Sequence, residues 1–516
     1  MINILKNSIL GIGTVHLIAG ISSCSGVAKK DSNQTKPNII FILADDLGYG
    51  ELGCYGQTLI ETPNIDRLAS SGMTFTQFYT GAPVSAPSRC VLLTGIHSGK
   101  CQVRGNDPWP ERGDTQNYLA MFADSTLEGN RPIKAGTFTI GTMLKSAGYK
   151  TAIVGKWGLG APGTDGLPNK QGFDFFYGYV CQRQAHTYYP LHLWRNEKRV
   201  FLNNDTVPPH TPLPDGADPY DIKSYAPYTL KDYSPDLMFN EITQFVEGNK
   251  NNPFFLYWAP TIPHLPLQSP EKWVDYYVKK FGDEKPYTGR SGGNGYFPQR
   301  YPHAAYAGMI SYLDEQVGKL VQQLKDLGIY DNTLIIFTSD NGPTGSAVPW
   351  FKSAGPFRSE SGYVKGSLYE GGIHVPMIAT WSGVIKPGSV SAHVSGFVDV
   401  MPTLAELTGA EINEDISGIS FLPTMKGKKQ IRHEYLYWEF PESGGQMAVR
   451  IGNLKALRKE LDKGNKKWEL FDLDKDPSET TDISEKYPEI IKRVNEIVAT
   501  EHTTSTYQKW QYPGID

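Results

Sequence analysis

A serine and an arginine at helical spacing occupy a short segment that could perform nucleophilic chemistry, Val84-Ser85-Ala86-Pro87-Ser88-Arg89-Cys90. Pro87 suits the first turn of a helix, where its missing N–H leaves no bond unmade. Ser85 then lies where the free amides of the helix favour negative charge, and Arg89 follows one turn later. The segment therefore predicts a nucleophile that faces a positive pocket. A capped helix with a surface arginine is the alternative interpretation, and the rest of the chain must separate the two.

Oxygen-bearing side chains follow two other segments of the chain. Segments 38–44 and 333–339 are rich in apolar residues and are typical of strands buried on both faces of a mostly parallel sheet. Such sheets place ligands at the carboxyl edge, where four side chains would meet: Asp45, Asp46, Asp340 and Asn341. Oxygen donors without cysteine or histidine suit one hard cation per chain, Ca²⁺ rather than Zn²⁺. For Asp45 and Asp46, the alternative to a cation site is a solvated Asp-Asp turn.

Three basic side chains stand near predicted strand ends or in glycine-rich loops. Lys156 follows the strand predicted over 150–155, and Lys365 begins the segment Lys-Gly-Ser-Leu-Tyr-Glu-Gly-Gly. Either lysine can bind an anion as a point charge, although a lone lysine is usually solvated. His264 lies among prolines that restrict its backbone, after the strand predicted over 253–259. A histidine can give a proton near neutral pH, so His264 is the candidate general acid.

Several of these motifs together resemble one known family. S-A-P-S-R followed by C-V-L-L-T-G-I is similar to the sulfatase signature, in which a Cys or Ser at the position of Ser85 is oxidised to formylglycine (3-oxoalanine). This chain resembles the Ser type, which depends on a radical maturase. The likeness extends from about Asn38 to the C-terminal region, where 471–477 (F-D-L-D-K-D-P) is similar to the family's C-terminal signature.

The resemblance implies a division of roles among the candidate residues. Residue 85, as an aldehyde hydrate, attacks sulfur with one hydroxyl and expels sulfate with the other. The residues implied to hold the cation and a sulfate oxygen are Asp45, Asp46, Ser85, Asp340 and Asn341. The residues implied to act on the transferring group are Arg89, which supports the hydrate, Lys156 and Lys365, which neutralise charge, and His264, which protonates the departing sugar oxygen. A bell-shaped pH profile is expected, because the carboxylates must be ionised and the histidine protonated.

Two positions depart from the family pattern. The family commonly reads G-K-W-H where this chain has Gly158 in place of the histidine, so another group or water must replace that ring. His374 stands where the family usually has arginine, and we assign it no role. In Gln184-Ala185-His186-Thr187-Tyr188-Tyr189, His186 is the candidate substrate contact, with a loop histidine packed against Tyr188 as the alternative.

The order of predicted elements indicates an α/β fold. Strand, loop, helix, strand, nucleophile and helix follow one another in doubly wound fashion. The resemblance implies a large, mostly parallel, mixed sheet flanked by helices, as in alkaline phosphatase. The catalytic domain is predicted over 37–430. Short strands after residue 430 predict a smaller antiparallel sheet with a terminal helix over 431–516.

The first 24 residues are interpreted as a targeting segment. Lys6 and an apolar stretch precede Ile21-Ser22-Ser23-Cys24, which resembles a bacterial lipobox whose Cys24 becomes lipidated. We therefore expect a signal peptide over 1–24, a tether over 25–36, and export to the periplasm or outer membrane of a Gram-negative bacterium, anchored only through lipid. A plain secretory signal is the alternative. The remaining four cysteines do not have the spacing of zinc ligands. One disulfide among them is possible, and the sequence does not say which residues would pair.

Composition and motifs leave three functions to weigh. A net charge of −4 does not favour a nucleic-acid partner. The first function is an exo-acting glycan sulfatase, and the G-K-W-G and Q-A-H-T-Y-Y variants resemble a subgroup that acts on galactose or N-acetylgalactosamine 4-O-sulfate. The second, a two-zinc phosphatase or phosphodiesterase of the same superfamily, needs histidine ligands that the motifs do not supply. The third, a silent glycan-binding lipoprotein, leaves the oxygen ligands, lysines and His264 without a reason.

Overall fold

Five parallel strands form the centre of a ten-stranded mixed sheet in the computed structural model, which describes residues 36–289, 295–345 and 347–516. The strand order is β11-β2-β10-β9-β1-β8-β4-β5-β6-β7. The strands of this sheet are β1 (Asn38–Ala44), β2 (Met73–Phe75), β4 (Lys150–Lys156), β5 (Phe175–Tyr179), β6 (His192–Arg195), β7 (Lys198–Phe201), β8 (Phe254–Ala259), β9 (Thr333–Ser339), β10 (Met377–Thr380) and β11 (Ser389–Ser391). The predicted mostly parallel sheet is confirmed.

Alternation along β1 explains why the sheet is buried on both faces. Successive side chains of a strand point to opposite sides. Ile39, Phe41 and Leu43 belong to one apolar cluster, while Ile40 and Ile42 belong to another. Each cluster is covered by helices, so a continuous apolar run is required rather than an alternating one. β1 pairs in parallel with both β8 and β9, which brings their carboxyl ends to one edge.

Helices cover both faces of the sheet. The longest one, α7, buries apolar side chains at helical spacing, among them Met309, Leu313 and Leu320, and ends before Gly328. The helices are α1 (Pro63–Ser71), α2 (Ser85–Thr94), α3 (Tyr118–Ala123), α4 (Ile140–Ser146), α5 (Ser234–Asn249), α6 (Glu271–Phe281), α7 (Pro302–Asp326), α8 (Val348–Phe351), α9 (Glu370–Ile373), α10 (Val400–Thr408), α11 (Leu422–Met425) and α12 (Pro488–Glu501). No helix in the described ranges is both long and apolar enough to span a bilayer.

A second, antiparallel sheet follows near the C-terminus, as predicted. Its strands, in spatial order, are β13 (Leu436–Phe440), β14 (Gln446–Ile451), β15 (Leu454–Lys459) and β16 (Glu469–Asp472). α12 packs on it through Val494, Ile497 and Val498. Residues 36–516 form one compact unit, so a domain boundary at residue 430 stays a prediction.

Two further elements have identifiable local causes. Residues 73–79 form two strands rather than one, because the chain turns after β2 and β3 (Phe78–Tyr79) pairs instead with β12 (Ser395–Gly396). Helix α4 begins at Ile140, because the Thr139 hydroxyl accepts the Thr142 N–H as a cap.

The structure tests only part of the predictions about targeting and about the cysteines. The signal peptide, Cys24 and nearly all of the tether lie outside the described residues. Cys54, Cys90, Cys101 and Cys181 are all free, so no disulfide forms among the described cysteines.

A buried lysine joins the second sheet to helix α9 of the preceding part of the chain. The Lys455 Nζ on β15 is 2.8 Å from a carboxylate oxygen of Glu370 and 2.9 Å from one of Glu479, and the side chain is fully buried. Burial raises the pKa of Glu479 to about 7, although Lys455 opposes that shift. The ammonium is therefore the shared partner of two buried carboxylates, and Glu370 is also contacted by the Tyr79 hydroxyl at 2.6 Å.

We expect Lys455→Met to lower stability by about 3–5 kcal/mol at pH 8, because two carboxylates lose their buried partner. The loss should shrink at pH 5, because the folded state binds a proton at Glu479 more tightly than the unfolded chain does. Thermal unfolding at both pH values measures this. Lys463→Met, which removes an exposed ion pair with Glu460, is the control and should leave the melting temperature unchanged. Equal melting temperatures for the two variants would contradict the role of Lys455.

Candidate functional site

The predicted site residues meet at the carboxyl edge of the parallel strands. Asp45 and Asp46 follow β1, Asp340 and Asn341 follow β9, and Lys156 ends β4. His264 follows β8, and Ser85 is the first residue of α2. All seven side chains are buried. Asp46 has a left-handed backbone (φ 66°), a strained conformation that is held by the Asp46 N–H donating to Asp340 Oδ1 at 3.1 Å.

Ser85 lies in a ring of charged groups. Its Oγ is 3.1 Å from both Asp45 Oδ1 and Lys156 Nζ, and 3.5 Å from Asn341 Oδ1. The neighbouring Ala86 N–H donates to Asn106 Oδ1 at 2.9 Å, which fixes the start of α2. A nucleophile derived from this side chain would therefore stand between a cation and two oxygen ligands.

Each aspartate after β1 is paired with a lysine. Lys156 Nζ is 2.6 Å from Asp45 Oδ2, and Lys365 Nζ is 2.8 Å from Asp46 Oδ2. Burial alone would raise the pKa of Asp45, but Lys156, His264 and Arg89 hold it below its ordinary value. Burial likewise acts to lower the pKa of Lys365, but Asp46 raises it above its ordinary value. The lysine stays charged and ready to receive an anion.

Arg89 positions Asp340 rather than touching Ser85. Its Nε and Nη2 donate to Asp340 Oδ2 at 3.1 and 2.7 Å, and its Nη1 donates to the Lys156 carbonyl at 2.8 Å. Nη2 also lies 3.8 Å from Asp45 Oδ2. The helical spacing predicted for Ser85 and Arg89 is confirmed. The guanidinium is fully buried, so the surface-arginine interpretation is wrong.

The His264 ring presents one nitrogen to the site. Nδ1 lies 2.6 Å from the Leu265 carbonyl, which can only accept, so Nδ1 carries a proton. Nε2 faces Asp46 Oδ2 at 3.7 Å. The Tyr188 hydroxyl is within hydrogen-bond distance of the Thr261 and His264 carbonyls (2.6 and 2.7 Å) and fixes this loop. Burial and Lys365 lower the pKa of His264, whereas a bound anion would favour its protonated form.

The carboxylates fit a divalent cation of the hard type. Asp45, Asp46 and His264 each offer a ligand atom, and these atoms lie within 4.8 Å of one another. The three buried carboxylates of Asp45, Asp46 and Asp340 face Lys156, Lys365 and Arg89, so the protein charges balance one for one. A bound cation would add the positive charge needed to hold an anionic group. The structure adds His264 to the neighbourhood of the predicted oxygen ligands.

His186 lines the cavity above the site. This cavity, of about 280 Å³, is also lined by His264, Lys365 and Tyr296. The His186 ring stacks on His264 with centroids 5.2 Å apart, and its Nδ1 is 3.1 Å from His210 Nε2. The rings that pack against His186 are those of His264, Tyr296 and His210 rather than Tyr188. His210 and Tyr296 lie in loops without periodicity and were missed by the sequence prediction.

Gln182 occupies the space beside Gly158. The glycine has φ 84°, and a Cβ added there would meet Gln182 Nε2 at 3.1 Å. Gln182 Nε2 donates to Asn106 Oδ1 at 3.2 Å, the same oxygen that holds the Ala86 N–H. Where the family pattern has a histidine, this chain therefore has an amide linked to the start of α2. No local sequence signal marks Gln182 or Asn106.

We expect Gly158→Ala to impair both stability and site geometry. A left-handed alanine costs about 1–2 kcal/mol, and here its Cβ also displaces Gln182. Gly163→Ala is the matched control, because Gly163 has φ 78° but open space around the added Cβ. Thermal unfolding and activity compare the two variants. If Gly163→Ala lowered activity as much as Gly158→Ala, the role given to Gln182 would be wrong.

Two family models match the chain. The model described as "Sulfatase" matches residues 37–410. The model described as "N-sulphoglucosamine sulphohydrolase, C-terminal" matches residues 360–503. The two matches together span the main sheet and the second sheet.

Curated relatives align over most of the chain. An N-acetylgalactosamine-6-O-sulfatase of Bacteroides thetaiotaomicron is 30% identical over 538 residues, covering 94% of this chain and 97% of the relative. Human arylsulfatase A is 31% identical over 436 residues, covering 81% and 74%. A solved structure, Ps i-CgsB in complex with k-i-k-neocarrahexaose, is 29% identical with a TM-score of 0.70 and covers 90% of this chain and 93% of that one.

Proposed function

The chain belongs to the sulfatase family and is a sulfuric ester hydrolase, and from this premise we propose that it removes sulfate from a glycan through a formylglycine made from Ser85. The observation that carries the proposal is the position of the Ser85 Oγ, 3.1 Å from both Lys156 Nζ and Asp45 Oδ1 in a buried ionic cluster. A sulfate ester is a monoanion, and this cluster provides three cations, of which Lys156 and Arg89 are buried and Lys365 is partly exposed to the cavity.

Formylglycine explains how the enzyme turns over. An unmodified serine that attacked sulfur would leave a stable sulfated enzyme. The hydrate of an aldehyde carries two hydroxyls, so one can take the sulfuryl group and the other can expel sulfate and restore the aldehyde. Asp45 Oδ1, within hydrogen-bond distance of residue 85, is placed to accept a proton from this group. A radical maturase that acts before export would supply the aldehyde.

The cationic side chains have different roles in the transfer of the sulfuryl group. Lys156 and Lys365 are placed to neutralise the sulfate oxygens, and Arg89 keeps Asp340 oriented. His264 Nε2 faces the cavity, where the departing sugar oxygen would need a proton. Each contribution is a matter of charge and position, which is how most of the barrier to this slow hydrolysis must be lowered.

We propose one Ca²⁺ as the cation, held by Asp45, Asp46, Asp340, Asn341 and residue 85. The oxygen donors favour a hard ion. When bound, the ion would supply positive charge to a sulfate oxygen and to residue 85. Asn341 fits this assignment because its Oδ1 faces Ser85 while its Nδ2 donates to Asp46 Oδ1 at 2.7 Å.

The proposed substrate is a sulfated galactose or N-acetylgalactosamine residue at the end of a glycan. Two relatives support this class by their names, one an N-acetylgalactosamine-6-O-sulfatase and the other complexed with a neocarrahexaose. The motifs around Gly158 and His186 favour the 4-O-sulfate. His186 is the proposed contact to the sugar, since it lines the cavity beside His264. An assay panel must contain both the 4-O- and the 6-O-sulfates.

We also propose export with a lipid anchor at Cys24. The sequence around this residue is the support, and the tether to Lys36 would hold the enzyme at the periplasm or outer membrane. This location suits an enzyme that acts on glycans outside the cytoplasm.

Replacing Ser85 tests the nucleophile. We expect Ser85→Ala, coexpressed with a maturase, to lose at least 1,000-fold in kcat on sulfated sugars, about the loss from removing a nucleophile. Ser88→Ala is the control, because Ser88 is equally buried on α2 and its Oγ accepts the Gly81 N–H. Release of free sulfate measures activity, and intact mass reports loss of two hydrogens at residue 85. Activity retained in Ser85→Ala would refute the scheme.

Metal removal tests the cation. Chelation should abolish activity and lower the melting temperature, and added Ca²⁺ should restore both, because an ion that binds only the folded state stabilises it. Asp340→Asn should weaken this Ca²⁺ response, while Asp331→Asn, at an exposed carboxylate, should leave it intact. Restoration by Zn²⁺ but not by Ca²⁺ would mean that the cation has been misassigned.

A further inference from the structure

A second cationic group faces the substrate cavity above the ionic cluster. Arg183 lines the same cavity of about 280 Å³ as His186, His264 and Lys365. Among the described residues, it forms no ion pair with Asp45, Asp46 or Asp340, which pair with Lys156, Lys365 and Arg89, so it is separate from the groups that would hold the sulfate to be cleaved.

The backbone places Arg183 and His186 on one side of a turn. Arg183 has helical angles (φ −59°, ψ −38°) and precedes the 3₁₀ helix Gln184–His186. Side chains three residues apart eclipse one another in a 3₁₀ turn. Gln184 and Ala185 are buried in the protein, whereas Arg183 and His186 line the cavity. The three-residue spacing therefore presents a cation next to the proposed sugar contact.

The guanidinium of Arg183 has unused donors. Its Nε donates to the Gln116 carbonyl at 3.1 Å, which anchors the side chain. Across 36–289, 295–345 and 347–516, no carboxylate pairs with Arg183, and no group hydrogen-bonds to its Nη1 or Nη2. Partial burial lowers the pKa of Arg183, as expected for a cation that has lost water without gaining an anion. An oxyanion from outside would satisfy the two donors in bidentate fashion.

Resting on the proposed function, we propose that Arg183 binds a second anionic group of the substrate, a carboxylate or another sulfate ester carried near the sulfate that is cleaved. The enzyme then selects glycans with two neighbouring negative charges over singly sulfated sugars. Arg183 thus determines specificity, while the cluster around Ser85 performs the reaction.

Binding and turnover of three substrate types test this role. The probes are a singly sulfated N-acetylgalactosamine, the same sugar linked to a uronic acid, and N-acetylgalactosamine 4,6-disulfate. In Arg183→Gln, KM should rise about 10- to 100-fold for the doubly charged probe that the wild type prefers, the range expected for a lost charged hydrogen bond. The singly sulfated probe should change less than about twofold. A rise in KM for the uronic-acid probe would identify the second group as a carboxylate, and a rise for the disulfated probe would identify it as a sulfate ester.

Two variants control for folding and for general charge effects. Arg183→Lys keeps the positive charge but not the paired N–H donors of the guanidinium, so it should recover only part of the preference for the doubly charged probe. Arg67→Gln, at an exposed arginine on α1, should change nothing. Equal losses on singly and doubly charged probes in Arg183→Gln would overturn the proposal while leaving the sulfatase function intact.

A binding measurement separates this inference from the proposed reaction. Calorimetric titration of the Ser85→Ala protein with the same probes reports affinity without turnover. Tighter binding of a doubly charged probe, lost on adding Arg183→Gln, supports the role of Arg183 even if the wild type hydrolyses none of these esters. Equal affinities for all probes would overturn it.

Discussion

The burial of three carboxylates at one edge of the sheet is the constraint on which the rest of the structure depends. Asp45, Asp46 and Asp340 are removed from water, and charges in that position require partners. Arg89, Lys156 and Lys365 supply them at 2.6–2.8 Å. Loss of any one cation would leave an unpaired charge in the interior, so the cluster is assembled as a whole or not at all.

The fold provides the rigidity that this cluster needs. Parallel pairing of β1 with β8 and β9 brings the aspartates, His264 and Asn341 to one edge without long loops. α2 brings Ser85 and Arg89 from one side. The loop carrying Lys365 is tied down by two backbone bonds, Lys365 N–H to Pro343 and Gly366 N–H to Pro83. Strands and helices, rather than flexible segments, therefore hold most of the charged side chains of the site in place, as electrostatic catalysis requires.

The sequence predicted the elements and the residues at their ends because these follow local rules. An apolar run such as β1 identifies a buried strand, and polar residues directly after it identify the ligand edge. Arg183, Gln182 and Tyr296 could not be found this way, since their roles arise from loops that meet only in the folded chain. The partner of Gly158 is an example: strand β4 and the loop after β5 are brought together by bonds such as Trp157 N–H to the Tyr179 carbonyl.

Attack on sulfur is the step for which the buried charges are arranged, and an isotope experiment tests whether the sulfur–oxygen bond of the ester is the one that breaks. The maturase-treated enzyme hydrolyses a sulfated sugar in water labelled with heavy oxygen, and mass spectrometry follows both products. If residue 85 attacks sulfur, the label enters the released sulfate and the sugar keeps its original oxygen. Label in the sugar hydroxyl would mean that the carbon–oxygen bond breaks, which would contradict the roles given to Ser85 and His264.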